Sequence, residues 1–193
     1  MIQTLKNIAL TLAATCMLAG AVQAQTSQSS SYSRSWSSSS GSSWGTRADG
    51  TTYSNGYRNS DSRSSASTTT RTASPWGTQS NTTSMNQRQS TRQGFSQSGG
   101  PGGVHQSAYN NNSGSLSLVN QRRSNGIFGN STDTRSLNAN YNNVNTVSRG
   151  IGPSGVYNNA YQRNSGNVTM ARNVSANSVF GPSIRAGSTR TAG

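Results

Sequence analysis

The chain has 193 residues, 28% of them hydrophobic and 10% charged, and its 16 Lys and Arg against three acidic side chains give a net charge of +13. One His, one Cys and scattered Asp49, Asp61 and Asp133, with no Glu, leave almost nothing for acid–base or metal-centred chemistry. Serines are abundant, but a nucleophilic serine needs a positioned base, so an enzyme is not expected and no catalytic, cofactor or metal residue is assigned.

Residues 1–24 read as a secretory signal peptide. Lys6 sits in a short polar start, an apolar run extends from Ile8 to Val22, and Val22-Gln23-Ala24 offers small side chains at the two positions that a signal peptidase reads. Cleavage is expected after Ala24, by the general secretory route because no twin arginine is present. Cys16 leaves with this segment; Ala13-Ala14-Thr15 before it lacks the leucine of a lipoprotein signal. The apolar run is short and rich in Ala and Thr, so no membrane span is expected to remain in the mature chain. That chain carries 15 arginines against three aspartates, a net +12 with no lysine. Arginine alone fits a need for flat guanidinium groups that grip phosphates or carboxylates and stack on rings; a biased base composition of the gene gives the same preference. Periplasm, cell surface or extracellular space is the expected location.

From Gln25 to about Ser98 there is no Val, Leu or Ile, and runs such as Ser37-Ser38-Ser39-Ser40 and Thr68-Thr69-Thr70 dominate. Such a stretch cannot bury enough apolar surface to offset a backbone ordering cost of roughly 1–2 kcal/mol per residue, and disorder is expected over residues 25–98. Trp36, Trp44, Trp76, Tyr32, Tyr53 and Tyr57 interleave with Arg34, Arg47 and Arg58, either as stacking contacts or as decoration of a linker. Asp49-Gly50 and Asn55-Gly56 are turn dipeptides without alternating apolar flanks, so no stable hairpin is expected there.

Gly99-Gly100-Pro101-Gly102-Gly103 marks the expected domain boundary. His105 just beyond it reads as a polar residue beside a glycine turn. Over residues 99–193 Val, Leu and Ile appear at fourteen positions and Asn displaces much of the Ser. An offset of 52 residues lays Ser96–Ser131 over Ser148–Ser183 without a gap, matching Gly100-Pro101 to Gly152-Pro153, Ala108-Tyr109 to Ala160-Tyr161 and Phe128-Gly129 to Phe180-Gly181. In each copy Leu116 and Leu118, or Val168 and Met170, alternate with polar residues, the period that builds one apolar row on a strand. Ile127-Phe128 and Val179-Phe180 then suggest a second short strand. The expected fold is therefore a largely disordered low-complexity chain with an all-β repeat in its C-terminal half, strand-turn-strand in each copy, as a β-solenoid or in cross-β form on assembly. Leu137–Val147 is a candidate degenerate middle unit. Two units cannot cover each other, so the missing neighbours come either from that unit or from other copies of the chain.

Leu116–Ile127 and Val168–Val179 resemble the repeats of curlins, the secreted subunits of bacterial functional-amyloid fibres, in their apolar alternation and in Asn125 and Asn177. They depart from that pattern where Asn120 and Arg172 replace its glutamine and Arg122 and Val174 its turn glycine. The resemblance implies a self-assembling fibre protein of a biofilm matrix or adhesive surface. Leu116, Leu118, Asn125, Ile127, Phe128, Val168, Met170, Asn177, Val179 and Phe180 are the candidate assembly residues. Stacked copies about 4.8 Å apart would place equivalent arginines in like-charge rows, which suits a minor or nucleating component beside an acidic fibre subunit. Arg122, Arg123, Arg149, Arg163 and Arg172 are the candidate contacts for polyanions: acidic polysaccharide, lipopolysaccharide or nucleic acid. The other reading of the same charge is a disordered cationic binder of such polymers without β assembly. No small-molecule substrate is expected.

Overall fold

The computed structural model describes residues 25–193; the expected signal peptide, with Lys6 and Cys16, lies outside them. Seven antiparallel strands follow one another in a single open sheet: β1 (Gln25–Thr46), β2 (Thr52–Ser74), β3 (Gly77–Gly100), β4 (Gly103–Gly126), β5 (Gly129–Gly152), β6 (Gly155–Ser178) and β7 (Ile184–Ala192). At about 3.4 Å per residue the 24-residue strands run for roughly 80 Å. Among the described residues none is helical, so no helix is long and apolar enough to cross a membrane.

Turn chemistry explains why β3 to β6 are equal in length, at 24 residues each. Ser74-Pro75-Trp76-Gly77, Gly100-Pro101-Gly102-Gly103, Gly126-Ile127-Phe128-Gly129 and Gly152-Pro153-Ser154-Gly155 each close two strands with a two-residue turn. The closing glycines Gly77, Gly103, Gly129 and Gly155 recur every 26 residues, with φ of 147°, 119°, 138° and 114°. These are conformations that an L side chain rarely adopts. A Cβ on Gly103 would also meet the Ile151 carbonyl oxygen and stand 2.8 Å from the Gly152 Cα, so strain and backbone contact both demand glycine.

The 52-residue repeat is thus two strands, and each copy is written in pairs because the turns alternate in kind. Pro101-Gly102 and Pro153-Ser154 lie at one end of the sheet, with the five-residue turn Arg47–Thr51. Pro75-Trp76, Ile127-Phe128 and Val179-Phe180 lie at the other. There Ile127 donates its backbone N–H to the Trp76 carbonyl and Val179 to the Phe128 carbonyl, both at 3.2 Å, which ties successive turns together.

Several expectations require correction. Residues 25–98 are not disordered but form β1, β2 and most of β3, because order here rests on backbone ladders and side-chain pairs rather than on a buried interior. Examples of the latter are Ser33 with Ser65 at 2.7 Å and Thr69 with Thr82 at 3.1 Å. The glycine-rich joint is the turn between β3 and β4, which pair along their length. Asp49-Gly50 does close a hairpin: Gly50 has φ 79°, Arg47 N–H donates to the Thr51 carbonyl at 2.8 Å, and the Asp49 carboxylate accepts from Thr51 N–H at 2.9 Å. Asn55-Gly56 lies within β2. The stretch from Leu116 to Gly126 is one end of a single strand, so Ile127-Phe128 is a turn and no second short strand follows Leu118; Val168–Phe180 repeats this. Leu137–Val147 is the middle of a full strand between the two copies.

Register is reinforced by a second device. Tyr53, Tyr57, Phe95, Tyr109, Tyr141 and Tyr157 each stand opposite a glycine of the preceding strand, at Gly45, Gly41, Gly56, Gly94, Gly114 and Gly150 respectively. In every pair the ring covers the space that a Cβ would fill; on Gly41, for example, that atom would stand 2.6 Å from Tyr57 Cε1. Tyr161, opposite Thr146, is the exception. With 21 glycines in 193 residues, fewer than one of these seven partners would be glycine by composition, so the pairing is written into the sequence. Aromatic rings laid over cross-strand glycines restore packing at sites where the strand would otherwise be weak.

Alanine substitutions separate strain from contact. Gly102→Ala, with open space around it and an ordinary φ, should leave stability unchanged. Gly155→Ala meets no atoms and should lose only the strain of its φ, roughly 1–3 kcal/mol. Gly103→Ala should lose more than Gly155→Ala. Urea titration followed by circular dichroism gives the order, and equal stability of all three variants would contradict these turns.

Candidate functional site

Because strand residues alternate between faces, the register divides the side chains into two unlike surfaces. One face carries an apolar row that crosses the whole sheet: Tyr32, Ala66, Met85, Leu118, Leu137 and Met170, ending at Arg190. Beside it runs Leu116, Ala139, Val168 and Ala192, and farther along the strands Phe95, Ala108, Val147 and Ala160, then Val104, Ile151 and Val156. The other face is mainly Ser, Asn, Thr and Arg, with Tyr53, Tyr57, Tyr109, Tyr157 and Tyr161. Among the described residues no hydrophobic side chain is buried; Met170 remains 53% exposed. The apolar rows therefore lie open, half-covered only by their neighbours in the same layer.

The candidate assembly residues fall into three groups. Leu116, Leu118, Val168 and Met170 meet on the apolar face, joined across β5 by Leu137 and Ala139. Asn125 and Asn177 lie on the opposite face, in line through Asn130. Ile127, Phe128, Val179 and Phe180 form turns at one end of the sheet, where Trp76, Phe128 and Phe180 make an exposed aromatic edge. Met85, Leu137 and Ala139 were not among the candidate residues; Leu137 and Ala139 alternate locally, within the stretch read as a degenerate middle unit, but the cross-strand register was needed to join them with the locally isolated Met85 on one face.

The candidate arginines are divided as well. Arg122, Arg149 and Arg172 project from the apolar face, Arg123 and Arg163 from the other. Arg135 and Arg172 stand directly opposite each other, an arrangement that repels. Asp133 relieves it, accepting from Arg172 Nε at 3.1 Å and Nη2 at 2.9 Å, and from Arg135 Nη2 at 3.2 Å. The Arg172 guanidinium, by donating to that carboxylate, holds Asp133 below its ordinary value of 3.8, and Arg172 is raised in return. Arg63 and Arg88 oppose each other on the other face. Among the described residues Arg135 and Arg172 are the arginines found in ion pairs, and Arg122, Arg123, Arg149 and Arg163 are left to contact other molecules. Of the aromatic and arginine residues interleaved in residues 25–98, Arg47 and Tyr53 come together, with the guanidinium carbon 5.8 Å from the ring centre.

His105 lies across Gly150 from Tyr157, with its Nδ1 2.9 Å from the tyrosine hydroxyl. Together they cover Gly150, the one residue of the described chain that is buried. Among the described residues no three His, Cys, Asp or Glu side chains gather as a metal site. No protein-family model matches the chain, and no curated protein matches it either.

The Asp133 cluster sets an acid limit. Its depressed carboxyl contributes stability that is complete above the ordinary 3.8 and is lost as pH falls through the lowered value. Thermal unfolding should therefore be level from neutral pH to just above 3.8, decline as pH falls from there through the lowered value, and flatten again below it. In Asp133→Asn the decline should shrink to the part due to Asp49, which the Thr51 backbone N–H also lowers. The same variant should be destabilised at neutral pH, and salt should restore part of the loss. An unchanged acid profile would contradict the pairing.

Proposed function

We propose that the chain is a secreted structural protein of an extracellular matrix or surface fibre, which assembles with further copies of itself and grips acidic polymers with its arginines. The observation that carries this reading is the open apolar face. Removing a Leu or Met side chain from water is worth roughly 1.5–3 kcal/mol, and a second sheet laid about 10 Å above that face would cover Met85, Leu118, Leu137 and Met170 together. A second copy is the self-complementary cover, because an apolar row that spans the sheet can meet its own image. The edges support growth in the other direction. Among the described residues β7 pairs with Val168–Ala176 only, which leaves the Gly155–Asn167 stretch of β6 with unpaired backbone groups, and β1 is open along its length. Unpaired strand edges are templates for further strands.

The curlin resemblance points the same way, with the fibre built from long antiparallel strands rather than strand-turn-strand units. The like-charge arginine pairs favour a minor or nucleating component, or growth with an acidic partner: a fibre subunit, polysaccharide, lipopolysaccharide or nucleic acid. The arginines outside ion pairs also favour a second reading, polyanion binding without assembly, held by counterion release.

Mature protein should form thioflavin-positive fibres. Leu137→Lys, in the middle of the apolar row, should abolish them, whereas Val119→Lys, which removes an apolar side chain from the opposite face, should not. Protein that stays monomeric through long incubation, alone and with an acidic polysaccharide, would remove the assembly reading. Binding to anionic polymer should weaken steeply between low and high salt; affinity indifferent to salt would remove the role of the arginines.

A further inference from the structure

The face opposite the apolar rows holds a regular array that assembly leaves outward. Tyr57, Tyr109 and Tyr161 occur 52 residues apart and lie in one line across the sheet, in the order Gly41, Tyr57, Gly94, Tyr109, Thr146, Tyr161. Tyrosines on every second strand are separated by about 9.6 Å, twice the spacing between neighbouring strands. The rings of Tyr57 and Tyr109 lean the same way, each over the glycine of the preceding strand, which keeps that interval and lays them along the sheet surface. All three are about half exposed, at 49%, 46% and 54%.

We infer that this line is a binding track for an extended, β-linked polysaccharide, neutral or sparsely acidic. Three features choose this occupant. The interval is close to the disaccharide repeat of an extended β-linked chain, so alternate pyranose rings can rest their C–H faces on successive tyrosines while the rings between them span the gaps from one tyrosine to the next. The flanking rows are made for hydroxyl groups: Asn55, Ser96, Ser107, Ser148 and Asn159 on one side are uncharged donors and acceptors. On the other side an open trough of about 450 Å³ is lined in part by the polar side chains of Arg88, Ser90, Arg92 and Asn111. Charge density decides against single-stranded nucleic acid, which also stacks on aromatic rings. It needs a cation for nearly every phosphate, whereas the nearest row offers Arg92 and Arg163 across five strands, enough for scattered carboxylates.

This deepens the matrix reading and rests on it for the extracellular setting. The test is retention of the assembled mature protein on microcrystalline cellulose at high salt, with a thioflavin signal recorded on the same samples. Tyr161→Ala is the informative variant, because its ring faces Thr146 and covers no glycine. Its binding should be about ten-fold weaker, as expected for the loss of one stacking platform. Tyr109→Phe, which keeps the ring over Gly94, should bind as the parent does. Failure of the parent to bind, equal binding by Tyr161→Ala, or displacement by single-stranded oligothymidylate would overturn the track. If fibres persist while cellulose is not retained, this inference alone fails; if retention persists without fibres, the track stands and the assembly reading fails.

Discussion

Everything in this molecule depends on strand register. A slip of one residue in a 24-residue strand would move every side chain to the opposite face, merging the apolar rows with the polar ones. A single sheet has no interior to forbid that slip, so the sequence enforces register locally. The closing glycines at Gly77, Gly103, Gly129 and Gly155 set where each strand begins, through a backbone geometry that other residues resist. The aromatic rings over cross-strand glycines set which residues meet in mid-strand, where the turns have least influence. The two devices agree, and agreement between local and long-range preferences is what separates one pairing from its near alternatives.

Energetically the sheet is one-sided. Backbone hydrogen bonds each add on the order of 1 kcal/mol net, and polar ladders such as Thr69–Thr82 or Asn140–Asn167 add a little more. The large remaining term, removal of Leu, Met, Val and Phe from water, is unspent until something covers the apolar face. That asymmetry underlies the proposed function, in which the apolar face is covered on assembly and the tyrosine-bearing face is left to other polymers. The arginines divide between them. Those on the apolar side include Arg135 and Arg172, both paired with Asp133, and would make the proposed assembly sensitive to charge; the others lie on the tyrosine side.

Much of the C-terminal half was legible in the sequence. Leu116, Leu118, Val168 and Met170 were read as one apolar row because strand alternation is local information, and the 52-residue offset was read from glycines, prolines and aromatics. The half-period was not read, because Pro101-Gly102 and Ile127-Phe128 differ in chemistry although both are two-residue turns ahead of a glycine. For the same reason Ile127-Phe128 looked like a strand: its residues favour sheets, and only the flanking Gly126 and Gly129 mark it as a turn. Residues 25–98 were misread more deeply. Their composition says correctly that no core can form, but disorder follows from that only if a core is the sole source of order. The clue was present in Gly41, Gly45, Gly56, Tyr53, Tyr57 and Phe95, whose partnership appears only once the strands are laid side by side.

The most direct measurement of the register uses spin labels on cross-strand partners in mature protein, which carries no cysteine of its own beyond the expected signal peptide. Labels at Ser90→Cys with Ser113→Cys, and at Asn142→Cys with Ser165→Cys, join directly opposed residues of β3 with β4 and of β5 with β6. Both pairs should show the strong dipolar broadening of side chains on adjacent strands. Unbroadened spectra from both pairs would contradict the register, and with it the division of the sheet into an apolar face and a polar, tyrosine-bearing face.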